Sequence, residues 1–144
     1  MTYLLDTGII TELVSTNPDP AVLRWLDSQP EETVYISVVT LAEICESIQK
    51  EKSLAKKALL TAWLTNDLLV RFSGRIGEIS VGVSLKWGEI MAKLKALGHT
   101  LSIADSMILA IALVYGHTLV TRDIASFKGT GAKVFSPFEG PENS

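Results

Sequence analysis

Along the chain, the spacing of apolar positions alternates between short continuous runs and the three-to-four-residue spacing of a helical face. Residues 3–5 (Tyr-Leu-Leu) form an apolar run that predicts a strand, and within residues 8–14 Ile9, Ile10 and Leu13 fall on one side of a helix. After the turn Asn17-Pro18-Asp19-Pro20, Asp19 is placed to cap a helix with Pro20 at its first position. Val22, Leu23 and Leu26 give that helix an inner face as far as Ser28. Residues 33–38 are rich in β-branched side chains and predict a second strand, which leads into a helix over about residues 40–50 with Glu43 in its first turn. Ser53 caps a long helix reaching about Phe72, with Leu54, Ala58, Leu59, Ala62, Leu68 and Leu69 as its apolar positions. The glycines at 74 and 77 break it.

Beyond that break, residues 76–80 predict a short strand and residues 81–97 a helix closed by Gly98, with His99 and Thr100 in the following loop. Ser102, three residues before Asp105, has the form of a capping box at the head of a strongly apolar helix over 103–115 that ends at Gly116. Residues 118–121 predict another strand, 123–127 a turn or short helix, and 133–135 a last strand. Strands alternating with helices need crossover connections, so the expected class is α/β: a central, mostly parallel sheet flanked by helices on both faces. With no repeat, low-complexity tract or linker, one domain is expected over 1–138, followed by an irregular tail at 139–144.

The 144 residues agree with a single domain, which at this size buries about 68–70% of its unfolded surface. Cys45 is the sole cysteine, which excludes an internal disulfide, suits a reducing cytosol and predicts a buried structural thiol. The chain reaches Asp6 without the basic region or apolar length of a signal peptide, and the apolar stretch 103–114 is far shorter than the roughly 20 residues of a spanning helix. A soluble cytoplasmic protein is therefore expected. A net charge of −3 argues against a generally basic nucleic-acid binder, so a nucleic-acid ligand would have to be attracted by local basic groups and bound cations.

Four acids stand at predicted strand ends or helix starts: Asp6, Glu43, Asp105 and Asp123. In an open α/β sheet such junctions share the rim where ligands bind. Simpler roles are open to each: Asp6 and Asp105 as helix caps, Glu43 as a complement to its helix dipole, Asp123 in a turn. Their joint placement points instead to a carboxylate cluster. Two unit charges about 4 Å apart repel by about 4 kcal/mol at an effective dielectric of about 20, so a cluster of four needs a cation. Oxygen donors without a Cys/His pattern favour Mg²⁺ or Mn²⁺ over zinc, and such ions activate water and stabilise charge on a phosphodiester.

At these positions the chain resembles the PIN-domain family, most closely its VapC- and FitB-like toxins. The match spans nearly the whole chain: Leu4-Leu5-Asp6-Thr7 with Ile10 and Glu12; Ser37-Val38-Val39-Thr40-Leu41-Ala42-Glu43; Ala104-Asp105 with Ile108-Leu109-Ala110; and Thr121-Arg122-Asp123 with Phe127. The resemblance implies a PIN-like domain acting as a metal-dependent ribonuclease, the toxin of a VapBC-type toxin–antitoxin pair from a bacterial or archaeal operon. It further implies a homodimer held inactive by a cognate antitoxin whose tail enters the active-site groove. Metal-binding and catalytic roles carry over to Asp6, Glu43, Asp105 and Asp123, with Thr7 or Thr121 as hydroxyl support. Arg122, beside Asp123, is the candidate phosphate contact.

Two positions depart from the family pattern. Gly8 stands where Asn usually follows Asp-Thr, and Ser126 stands where many relatives carry a further acid. Gly8 opens a second reading, a catalytically weakened PIN-like module that binds RNA or protein without cutting. Leu5-Asp6-Thr7-Gly8 also resembles the aspartic-protease signature, which requires a β-rich chain. Lys50, Lys52, Lys56 and Lys57 read as a solvated helix start, His99 and His117 as surface groups, and Trp25, Trp63 and Trp87 as packing residues.

Overall fold

The computed structural model describes residues 1–138, so the tail expected at 139–144 lies outside the described residues. Five strands, β1 (Tyr3–Leu5), β2 (Val34–Ser37), β3 (Ile76–Gly77), β4 (Thr118–Val120) and β5 (Val134–Phe135), form a sheet in the order β3-β2-β1-β4-β5. Every pairing is parallel, with Leu4 opposite both Tyr35 and Leu119. The winding reverses at β1, which has β2 on one side and β4 on the other. That reversal opens a crevice beyond the carboxyl ends of β1 and β4, where sheets of this kind bind ligands.

Seven α-helices connect the strands: α1 (Thr7–Glu12), α2 (Pro20–Ser28), α3 (Val38–Gln49), α4 (Leu54–Trp63), α5 (Leu69–Arg71), α6 (Val81–Ala96) and α7 (Ile103–Tyr115). Alternation along β1 sends its two leucines to opposite faces, and each seeds a core. Leu5 packs with Val34, Ile36 and Val120 against Ile9, Ile10, Val22, Leu26, Ile44 and Ile48. Leu4 packs with Leu119 against Val83, Ile90 and Leu94 of α6 and Ile108, Leu109 and Ile111 of α7. The sheet is thus covered on both faces, the condition for a parallel sheet of nearly continuous apolar strands.

Helix starts follow the polar residues before them. Asp19, Ser37, Ser53, Ser80 and Ser102 each accept a backbone N–H of the first turn. Helix α3 consequently begins at Val38, earlier than the spacing predicts, because the Ser37 hydroxyl takes the Thr40 N–H at 3.1 Å. Glu43 therefore lies in the second turn and not the first, beyond the reach of the helix-end dipole.

The long helix predicted to Phe72 runs in three parts, because Leu64–Leu68 is wound as a π-helix between α4 and α5. The wider π turn changes which residues face the core. Leu60, Trp63, Leu64 and Leu68 point inward, whereas Leu54 and Leu59, two of the apolar positions of the expected helix, are 83% and 73% exposed. Cys45 is also exposed rather than buried, one position beyond the buried Ile44 on α3. The three tryptophans pack against the two cores as expected. No helix among the described residues is long and apolar enough to cross a membrane.

His117 is not an open surface group. It is half-buried, Thr2 Oγ1 lies 2.6 Å from its Nδ1, and its ring lies against Tyr35 with centroids 4.6 Å apart. Burial lowers its pKa below the ordinary value of 6.5 by penalising the charged form.

Candidate active site

The parallel register places the residues after β1 and β4 side by side. Asp6 follows Leu5, and its N–H bonds the Val120 carbonyl at 2.9 Å. Asp6 also caps α1, so the simple capping role and the rim position coexist in one residue. Its two carboxylate oxygens have separate donors: Oδ1 accepts the Thr7 N–H at 2.8 Å, and Oδ2 accepts the Thr121 hydroxyl at 2.8 Å. Both bonds hold the carboxylate without any contribution from residue 8. A Cβ at Gly8 would meet nothing within 4 Å, so the space where an Asn would stand is open.

Glu43 reaches the same corner from α3. The Thr7 hydroxyl donates to its Oε1 at 2.6 Å and lies 3.0 Å from the buried Thr40 hydroxyl. With the Thr7 proton committed to Glu43, Thr40 is the donor between the two threonines. A line of hydroxyls thus runs from the α3 cap to the acid. Thr40 is a site residue that the sequence reading passed over, although its place three positions before Glu43, one helical turn away, was a usable signal.

Asp105 stands in the first turn of α7, its N–H bonded to Ser102 Oγ at 3.0 Å. Only this half of the capping box forms, so the carboxylate is not spent on the Ser102 amide. Asp105 and Glu43 both raise the pKa of Asp6. The largest cause of the raised Asp6 value is burial, which outweighs the lowering effect of the bonds from Thr121 and Thr7. Three acids distant in sequence therefore share one electrostatic neighbourhood.

Asp123 is more peripheral, being exposed and not among the charges that shift Asp6. Its link to Asp6 runs through the buried Thr121, whose hydroxyl accepts the Asp123 N–H at 3.2 Å while donating to Asp6. Ser126 N–H donates to Asp123 Oδ1 at 3.2 Å, and Ser126 Oγ donates to Oδ2. Arg122 is exposed, with its guanidinium 4.0 Å over the Phe138 ring, and it borders an open pocket of about 520 Å³ shared with Glu12, Asn17 and Asp19. The lysines expected at a solvated helix start behave so, Lys50 pairing with Glu46 at 3.3 Å and Lys56 with Glu51 at 3.6 Å. His99 departs from its reading as a surface group: it is half-buried and bonds the Ser126 carbonyl at 2.8 Å.

Asp6, Glu43 and Asp123 are each turned to hydroxyl donors, and among the described residues no three acidic, histidine or cysteine side chains stand arranged to hold one metal ion. The helix α1 directly after Asp6 and the parallel sheet exclude the aspartic-protease reading of Asp6-Thr7-Gly8.

The sequence profile of the PIN domain matches residues 3–132. The VapC ribonuclease Y4jK of Sinorhizobium fredii is 32% identical, with 94% of this chain and 97% of the relative covered. The toxin FitB of Neisseria gonorrhoeae is 34% identical, covering 94% and 97%. The crystal structure of FitAcB from Neisseria gonorrhoeae superposes with a TM-score of 0.90 at 34% identity, covering 94% of this chain and 98% of that one. The sheet order, the helices on both faces and these matches together make the chain a member of the PIN-domain family.

Proposed function

We propose that this protein is a divalent-metal-dependent endoribonuclease, the toxin of a VapBC-type pair, which hydrolyses RNA phosphodiester bonds in the cytoplasm. The observation that carries this reading is Asp6: a half-buried carboxylate with a raised pKa, flanked by Asp105 and Glu43 and held by the Thr7 N–H and the Thr121 hydroxyl. Surrounding one half-buried acid with two more is costly, and a bound dication offsets that cost. The donors are carboxylates, which fit Mg²⁺ or Mn²⁺ by hardness. Asp6, Glu43, Asp105 and Asp123 would hold the metal, directly or through water, and the ion when bound supplies Lewis-acid stabilisation of phosphodiester charge and activates water as the nucleophile.

The chain's own groups do the positioning. Thr7 orients Glu43, and Thr121 orients Asp6. Arg122 is the candidate phosphate contact, since a guanidinium can form paired bonds to phosphate oxygens. Gly8 does not favour the alternative of a weakened binding module, because both Asp6 oxygens are already held by other donors. The relatives named as a VapC ribonuclease and a FitB toxin support the same reading, and with it a cognate antitoxin as partner. A homodimer fits the exposed Val81 and Leu85 of α6 and Val114 and Tyr115 of α7.

The direct test is cleavage of a mixed RNA pool by purified, antitoxin-free protein in Mg²⁺, Mn²⁺ or EDTA, alongside Asp6→Asn and Asp105→Asn. Metal-dependent cutting that both variants lose is the expected result. A folded, metal-loaded wild-type protein that cuts none of the pool would instead make this a binding module.

Thr121→Val gives a subtler outcome. It keeps the side-chain shape while removing the donor to Asp6 and the acceptor for Asp123. The Thr121 bond lowers the Asp6 pKa, so its loss raises that pKa further and lets protons compete better with the cation. Mn²⁺ affinity is expected to fall about 10- to 100-fold, the usual effect of removing a group that orients a ligand, and to fall further at pH 5.5 than at pH 7.5. Equal losses at both pH values would show that the hydroxyl does not act through the Asp6 charge.

A further inference from the structure

Helix α6 ends in a glycine lock that leads by hydrogen bonds to the acidic site. Gly98 has φ +68°, its N–H bonds the Lys95 carbonyl at 3.1 Å, and the His99 N–H bonds the Leu94 carbonyl at 2.9 Å. These are the two bonds of a Schellman ending, and Leu94 is buried in the core beneath it. The lock fixes the backbone of His99, whose ring reaches the Ser126 carbonyl at 2.8 Å through Nε2. A carbonyl oxygen only accepts, so Nε2 carries the proton and donates it.

Ser126 in turn grips Asp123 with two donors, its N–H on Oδ1 at 3.2 Å and its hydroxyl on Oδ2. The Asp123 N–H continues to Thr121, and Thr121 to Asp6. A carboxylate has about four lone-pair directions, so two donors leave Asp123 able to face a cation as well. Without this grip, an exposed acid beside a three-residue 3₁₀ turn would have several rotamers to give up on binding a metal.

We propose that His99 is a positioning residue for the metal-binding acids, acting through Ser126 on Asp123, and that Ser126 serves here by orienting Asp123 rather than as a ligand. This rests on the metal-nuclease reading above. It gives a task to a serine that stands where many PIN relatives carry an acid, and to a histidine 27 residues away from it in sequence.

The test is a Mn²⁺ titration of the full chain, followed by the electron paramagnetic resonance signal of free Mn²⁺. Wild type is compared with His99→Ala, His99→Gln, Ser126→Ala and Asp105→Asn, with thermal melts in parallel. His99→Ala and Ser126→Ala are expected to weaken Mn²⁺ binding about 10-fold, and His99→Gln, whose amide can still donate to the carbonyl, to restore most of it. Wild-type affinity in His99→Ala and Ser126→Ala alongside a loss in Asp105→Asn would overturn the positioning role and leave the metal centre standing. Failure of His99→Gln to restore affinity lost in a folded His99→Ala would also overturn it, since the donor would then not be the cause. Unchanged binding in Asp105→Asn would overturn the metal reading itself, and this inference with it.

Discussion

Asp6→Asn is expected to raise the melting temperature of the metal-free protein at neutral pH by a few degrees, while lowering RNA cleavage by at least about 100-fold. The two effects have one cause. Burial, together with Asp105 and Glu43, holds the Asp6 carboxyl above its ordinary pKa of 3.8. Above the raised folded pKa the acid is ionised in both folded and unfolded chains, and only the folded chain bears the cost of a partly desolvated charge beside two like charges. Asn keeps an oxygen for the Thr7 N–H, and the Thr121 hydroxyl can turn to accept from its amide, so the variant avoids that cost.

The advantage should shrink as pH falls through the raised folded pKa towards 3.8, because Asp6 then takes up a proton in both states. Thermal melts in EDTA at pH 7.5 and pH 4 measure this directly. A difference between variant and wild type that does not change with pH would assign the effect to shape and not to charge. Added Mn²⁺ should reverse the order at neutral pH, since an ion that binds only the folded wild type stabilises it by mass action.

The largest effect on stability is expected from Leu5→Ala. Leu5 is fully buried on the central strand, directly before Asp6, and packs with Ile36 and Val120 against the helices on that face. Removing its buried methyls costs about 2–5 kcal/mol, depending on how far the cavity collapses. For a chain of this size that is a fall of roughly 10 °C in melting temperature, measurable by circular dichroism. Leu59→Ala is the control: at 73% exposure its change should stay within about 0.5 kcal/mol. A Leu59→Ala loss that grows with protein concentration would place Leu59 in the contact between two copies of the chain.

Local sequence determined most of the elements, because their signals are local. Asp19-Pro20, Ser53 and Ser102 mark helix starts, Gly98 and Gly116 mark helix ends with positive φ, and the apolar runs at 3–5 and 118–120 are strands. The four acids stood out as a candidate set because each was expected at a strand end or helix start, and the alternation of strands with helices implied a shared rim; Glu43 lies one turn further into α3 than that expectation. The π turn at Leu64–Leu68 was not visible, because apolar spacing assumes a constant helical period, and spacing alone did not decide which apolar positions of α4 face the core. Cys45 was placed inside on residue type alone, which cannot tell one side of α3 from the next.

Only the tertiary structure decided how the acids are held. The bonds from Thr121 to Asp6 and from Thr7 to Glu43 join residues 115 and 36 positions apart, and that from His99 to Ser126 spans 27. No periodicity encodes such contacts; they exist because the parallel register sets β1 beside β4 and brings the head of α3 against α1. The sequence by itself pointed to the carboxylates as candidate ligands, since donor type is a property of each residue. Which hydroxyl orients each of them is a property of distance, and distance is settled only when the sheet is assembled.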